Sequence, residues 1–431
     1  MAEWQRIVSD LEADGVLLVQ DGNHGEYRPR PAEFGDTGTA FIRAADMRGG
    51  RVLFESAQKI NEIARGRVRK GIGAPCDVIL SHKGTVGKVA FAPAVSPPFV
   101  CSPQTTFWRS LNHEVIDPLY LYAFLQSEPF REQLRARENE SDMAAYVSLT
   151  EQRRLSVTVP PLEIQRAISD VLGALDGKIA ANEHIADCAE KLGGALFERS
   201  FAEAILHLVD GAELPNGWIA SDLGAATETI ETGNRPKGGV AKYTSGIPSI
   251  GAESIVRLAQ FDFSKVKYVP EDFFAGMKRG IVQDRDILVY KDGGKPGDFK
   301  PHVSMFGNRF PFSRMCINEH VYRVRMKSKF GQEFGYYWLS SPFVMGEMRR
   351  RGTGAAIPGI NSTAVKGIPV VEPPTDRLLE FRETTAPLVE RVLQAASEAR
   401  TLATLRDTLL PQLMSGKLRI RDAEKIVEDS V

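Results

Sequence analysis

Two glycine- and lysine-rich turns hold the residues best suited to grip an anion. Ser81-His82-Lys83-Gly84-Thr85-Val86-Gly87-Lys88 follows the apolar stretch 78–80, and Tyr290-Lys291-Asp292-Gly293-Gly294-Lys295-Pro296-Gly297 follows 287–289. Lysines and the open N–H groups of such turns suit phosphate oxygens. Lys83, Gly84, Thr85, Lys88, Lys291 and Lys295 are therefore candidate phosphate contacts. The spacing is not that of a nucleotide-binding P-loop, because no Gly-x4-Gly-Lys-Ser/Thr is present. A solvated hairpin is the plainer alternative, and the recurrence of the turn argues against it.

A second matched pair lies early in each half of the chain. Asp21-Gly-Asn23-His24-Gly-Glu-Tyr-Arg28 corresponds to Thr232-Gly-Asn234-Arg235-Pro-Lys237. Asn and Arg can read adenine and guanine edges through paired hydrogen bonds. Asn23, His24, Arg28, Asn234, Arg235 and Lys237 are thus candidates for DNA, as is Arg43 on the strand-like Phe41-Ile-Arg-Ala-Ala. The competing explanation is a turn chosen for the backbone tolerance of Gly and Asn. Arg43 could equally pair only with Asp46. The basic runs 65–70 and 349–351 could track phosphates, or simply be solvated.

No catalytic constellation is evident. Ser96-Pro-Pro-Phe99 is similar to a tetrapeptide of amino-methyltransferases, but no glycine-rich cofactor loop stands in a usable position. Neither HExxH nor GxSxG occurs. Cys76, Cys101, Cys188 and Cys316 are scattered, which argues against a zinc site or a disulfide framework and fits a reducing cytoplasm. The first residues lack the apolar core of a signal peptide, and no apolar run is long enough to span a membrane. The chain has 431 residues, 43% hydrophobic and 25% charged, with a net charge of −1. A nucleic-acid binder with that balance must segregate its charges.

The elements that would position these residues come in two copies. Short strands are expected at 16–22, 39–47, 77–84 and 88–93, and a helix interrupted at Pro129 over 118–137. From Pro160-Pro161, apolar residues recur near the a and d positions of a heptad: Ile168, Val171, Leu175, Asn182, Ile185, Ala189, Leu192 and Leu196. The spacing predicts a helix of about 40 residues, roughly 60 Å at 1.5 Å per residue. A second begins at Pro373-Pro374, with seam residues Leu388, Val392, Leu402 and Leu409; Arg406 interrupts the seam, and Pro387 should kink the helix or move its start. The offset that carries Pro160 onto Pro373 also carries Ile168 onto Phe381, Leu175 onto Leu388 and Pro129 onto Pro342. Such a duplication yields two α/β (α+β) domains, 1–158 and 206–372. Two helical segments, 159–205 and 373–431, follow them and pack antiparallel as a coiled coil.

The chain resembles the specificity subunits of type I restriction–modification enzymes. The residues that carry the likeness are Pro160-Pro-Leu-Glu-Ile-Gln-Arg-Ala-Ile168, Leu172-Gly-Ala-Leu-Asp-Gly-Lys-Ile179, Leu214-Pro-Asn-Gly-Trp218 and Leu409-Leu-Pro-Gln-Leu-Met-Ser-Gly-Lys-Leu418. Thr375-Asp-Arg departs from the pattern where the first helix has Leu162-Glu-Ile-Gln165. The resemblance implies two target recognition domains, each reading half of a split, asymmetric site on double-stranded DNA. It implies helices that space the domains and recruit two modification (methyltransferase) subunits, with restriction/translocase subunits joining them. S-adenosylmethionine, ATP and Mg would then belong to those partners, and this chain would need no cofactor. Two other classes remain: a single-chain enzyme, and a coiled-coil scaffold or adaptor without sequence-specific DNA reading. Binding that ignores DNA sequence would mark the scaffold.

Overall fold

The computed structural model describes residues 4–141, 144–293, 299–308, 310–352 and 358–430. Contacts group the chain into two units, Met1–Lys178 with Leu402–Val431, and Ile179–Thr401. Each unit joins one globular domain to part of both long helices.

In the first domain, strand Thr105–Ser110 lies between Leu17–Asp21 and Val78–Ser81, antiparallel to both. Phe107 and Trp108 are buried on it, so it reads as a continuous run of β-branched and aromatic residues. Val89–Phe91 extends the sheet beyond Val78–Ser81. A second sheet sets Thr39–Ile42 parallel to Phe99–Cys101 and antiparallel to Lys59–Ile60.

The second domain repeats this order strand for strand. Val321–Met326 lies between Thr227–Thr232 and Ile287–Tyr290, with Val303–Met305 outside. Ile247–Ile250 runs parallel to Cys316–Ile317 and antiparallel to Lys267–Val269. Even the short entry ladders match: Gln5–Ile7 with Ser156–Thr158, and Ile219–Asp222 with Pro369–Glu372. The interruption expected at Pro129 is real. Helices Pro118–Gln126 and Glu128–Arg135 flank an extended Ser127, the N-cap of the second helix, with Pro129 in that helix's first turn where its missing N–H costs nothing.

The first long helix spans Leu162–Asp210, 49 residues, and so outruns the sequence expectation. Ala204 is buried and Ile205 and Leu208 pack on the second core, so its apolar face continues until Gly211 (φ 67°) ends it. The second spans Thr375–Met414 and runs straight through Pro387 in sequence, without the displaced start that proline suggested. Thr384 and Thr385 instead turn their hydroxyls back onto the carbonyls of Glu380 and Phe381. The first helix starts in the first unit and ends in the second, and the other does the reverse, so they run antiparallel.

Within the first unit, Ile168, Val171, Leu172 and Leu175 are buried, as are Leu402, Leu409 and Leu413. Arg406, the seam's interruption, reaches Asp176 at 2.7 Å. Within the second, Phe201 and Phe197 stand 5.0 and 6.0 Å from Phe381, centroid to centroid. Asn182 is buried, Ile185 and Leu388 are half-buried, and Val392 is buried. Leu192 departs from its seam role: it is 51% exposed. Beyond Ala189 the buried face steps by four, through Gly193, Phe197 and Phe201, because this stretch packs on the globular domain as well as on its helical partner. A helix of 3.6 residues per turn drifts off a strict heptad there. Gly193 has no room for a side chain, since a Cβ would come within 1.9 Å of the Tyr337 hydroxyl. Among the described residues, no helix is long and apolar enough to cross a membrane.

Candidate functional site

The lysine turn of the first domain is built by main-chain bonds. Gly87 N–H donates to the Ser81 carbonyl, and Gly84 N–H to that of Ala145, each at 2.9 Å. Gly84 (φ 80°) and Gly87 (φ 90°) hold left-handed backbone here. The turn leaves Lys83, Gly84 and Thr85 exposed.

Lys83 borders a concave site of about 420 Å³, lined also by Arg28, Arg43, Gln104, Phe34 and Phe41. Three candidate residues from separate stretches thus meet at one place. Arg28 and Lys83 have no carboxylate partner among the described residues. Lys83 instead stands 5.9 Å from the Tyr146 ring. Arg43 is engaged, its guanidinium donating to Asp46 at 3.1 Å and to Gln58 at 3.0 Å. The arrangement offers cations without carboxylate partners among the described residues beside an apolar wall, suited to the charged backbone of a nucleic acid.

The other first-domain candidates have different surroundings. Asn23 is buried; its amide donates to the Tyr27 carbonyl at 2.8 Å, so it shapes the loop that carries Arg28. His24 is exposed, 3.9 Å from Asp21. Lys88 donates its ammonium to the Ala44 carbonyl at 2.9 Å. Gly22 is required for close approach rather than for its φ, since a Cβ would come within 1.8 Å of the Ser102 carbonyl. Behind Lys83, His82 is buried with Nδ1 donating to the Val147 carbonyl at 3.0 Å. Its Nε2 lies 3.8 Å from Asp21, and burial pushes its pKa down.

The second domain keeps the frame and changes the charge. Gly293 N–H donates to the Pro358 carbonyl, and Gly233 repeats the close approach, 1.6 Å from the Ile317 carbonyl for an added Cβ. Here two of the candidate cations are compensated. Lys291 pairs with Asp292, which also takes a hydrogen bond from His320, and Arg235 pairs with Glu319. Burial pushes the Asp292 carboxyl up, but Lys291 and His320 outweigh it and hold the group below its usual range. Asn234 accepts from Arg279 at 3.1 Å, and Lys237 is exposed. Lys295 lies outside the described residues. At the opposite end of the strand that leads into each lysine turn, a buried carboxylate holds arginine from the central strand: Asp77 with Arg109 at 2.7 Å, Asp286 with Arg323 at 2.9 Å and Arg325 at 2.7 Å. Burial pushes Asp77 up and the Arg109 hydrogen bond only partly offsets it.

Sequence reasoning missed Phe34, Phe41 and Gln104, which reach the concave site from three separate stretches. Gln104 had no motif around it. The two phenylalanines fit any core strand.

Residues 26–191 match the family model of the type I restriction modification DNA specificity domain. The chain is 21% identical to the type I restriction enzyme MjaIX specificity subunit of Methanocaldococcus jannaschii, over 80% of each chain. It is 20% identical to the HindI specificity subunit of Haemophilus influenzae, over 71% of this chain and 79% of that one. In fold it is similar to the type I restriction-modification S subunit from M. genitalium, with a TM-score of 0.53 and 13% identity over 95% of each chain.

Proposed function

We propose that this chain is a specificity subunit of a type I restriction–modification system, like the proteins it is similar to, and that its two domains each read one half of a bipartite DNA site. The observation that carries this reading is the unequal pair of sites on one repeated scaffold. The first presents Arg28 and Lys83 with no carboxylate partner among the described residues, while the second presents Lys291 and Arg235 neutralised by Asp292 and Glu319. A scaffold that only spaced its partners would have no use for that divergence. Two unlike surfaces on a duplicated frame suit two unlike half-sequences.

Chemistry on the DNA falls to partner chains in this reading. Modification subunits supply S-adenosylmethionine-dependent adenine methylation, and restriction subunits supply ATP- and Mg-dependent work. The paired helices are their docking and spacing element.

The test is selection of full-length chain against a pool of randomised duplexes. Two different half-sequences at a fixed separation are expected. Exchanging residues 1–158 for another recognition domain should replace one of them only. Retention of DNA with no enriched sequence would leave the scaffold reading in its place.

A further inference from the structure

The turn before the central strand occupies the same main-chain position in both domains, although its sequence gives no hint of it. In the first domain, Ser102 N–H donates to Ile42, Gln104 N–H to the Ser102 hydroxyl, and His82 N–H to the Gln104 carbonyl. In the second, Asn318 N–H donates to Ile250, His320 N–H to the Asn318 side chain, and Lys291 N–H to the His320 carbonyl. Three bonds of the same kind identify Gln104 with His320. Each sits beside the lysine turn of its own domain.

At this shared position the two side chains are in opposite states. Gln104 is exposed, lines the concave site with Arg28 and Lys83, and its amide makes no hydrogen bond among the described residues. The His320 ring is engaged on both sides, Nδ1 by Asp292 and Nε2 3.4 Å from Glu319. Around Gln104 the alternatives are spent or unsuited. Pro103 has no donor, the Ser102 hydroxyl serves the turn, and Arg43 is held by Asp46. The cations Arg28 and Lys83 donate only, which suits phosphates and guanine. A glutamine amide offers a donor and an acceptor side by side, the pattern that matches adenine N7 and N6 in the major groove.

We infer that Gln104 is a specificity-determining residue of the first domain and reads an adenine at one base pair of its half-site, with Arg28 and Lys83 holding the adjoining phosphates. The inference rests on the DNA-reading function proposed above. The second domain has no counterpart contact, because His320 is committed to Asp292 and Glu319.

Selection of full-length chain from a randomised duplex pool tests it, with wild type, Gln104→Ala and Gln104→Arg in parallel. Gln104 is exposed, so neither change disturbs a core, and continued enrichment of the second half-sequence reports an intact chain. In Gln104→Ala, preference for one A·T pair of the first half-site should fall by about five- to 150-fold, the range a bidentate base contact provides. The salt dependence should stay as in wild type. Gln104→Arg should move the preference at that same pair to G·C, the partner of an arginine fork. Wild-type preference retained in either variant overturns the inference. So does uniform weakening across all sequences with a shallower salt slope, which would make Gln104 a backbone contact. A wild-type chain that enriches no sequence overturns the DNA-reading function itself, which separates the two failures.

Discussion

Lys83 and Lys88 look interchangeable in a sequence and are not. The first projects free beside the concave site, and the second is tied to the Ala44 carbonyl. Lys83→Ala should weaken binding to all duplexes alike and lower the salt slope by up to about one. Lys88→Ala should leave that slope unchanged and cost about 1 kcal/mol of stability, the value of a lost hydrogen bond. Salt titrations of binding with thermal melts on the same variants check both. A second expectation concerns acid. Arg67 donates two hydrogen bonds to Glu33, at 2.7 and 2.6 Å, and holds its carboxyl down to about 2. A carboxylate lowered on folding stabilises the native state above its unfolded value, near 4.5, and loses that contribution as pH falls toward about 2. Glu33→Gln should therefore flatten the melting temperature over that window and change nothing at neutral pH beyond a constant offset. The neighbouring Phe34 lines the concave site, so this pair also braces its wall.

At the scale of elements, the long helix divides a heptad reading from a packing reading. Phe197 stands within 4.9–6.4 Å of Phe201, Phe334, Tyr337, Trp338 and Phe381. Phe197→Ala should cost about 3–5 kcal/mol. Leu192→Ala, at a nominal seam position, should stay within about 0.5 kcal/mol, since its side chain is mostly in water. Denaturant melts would rank the pair, and equal losses would restore the strict heptad. Much of this architecture was legible in the sequence. The two helices, the duplication and the break at Pro129 follow from periodicity and proline chemistry, which are local. The lysine turns were visible for the same reason. The pairing of Gln104 with His320 was not, because insertions between the halves shift the offset there from its value in the helices. Nor was the compensation of Lys291 and Arg235, which depends on carboxylates that folding alone brings near.

For the whole molecule, the spacing role proposed for the helices makes the DNA gap depend on their length, and lengthening them tests it. The aromatic cluster around Phe197 and Phe201 makes the stretch after Leu196 a poor place for it. A matched four-residue insertion in both helices, outside that cluster, adds about 6 Å if helical. The gap should grow by one or two base pairs with both half-sequences unchanged. Selection of the variant against randomised duplexes measures it. An unaltered gap would mean that the helices are not the ruler.

The first unit closes only with residues from the far end of the chain: Leu402, Leu409 and Leu413 are buried in the unit that also buries Ile168 and Leu175, and Arg406 answers Asp176. On the ribosome, that apolar face emerges well before its cover. Roughly 220 residues separate Lys178 from Leu402, which at about 5–20 residues per second is a wait of some tens of seconds. The nascent first half must spend that time with a sticky helix uncapped, and a message broken before codon 402 leaves it so permanently. Chains ending at Thr401 should be cut by protease within 162–178 far faster than full-length chain, while the core of the second unit stays resistant. Equal resistance in that stretch would show that the late segment is dispensable to the early fold.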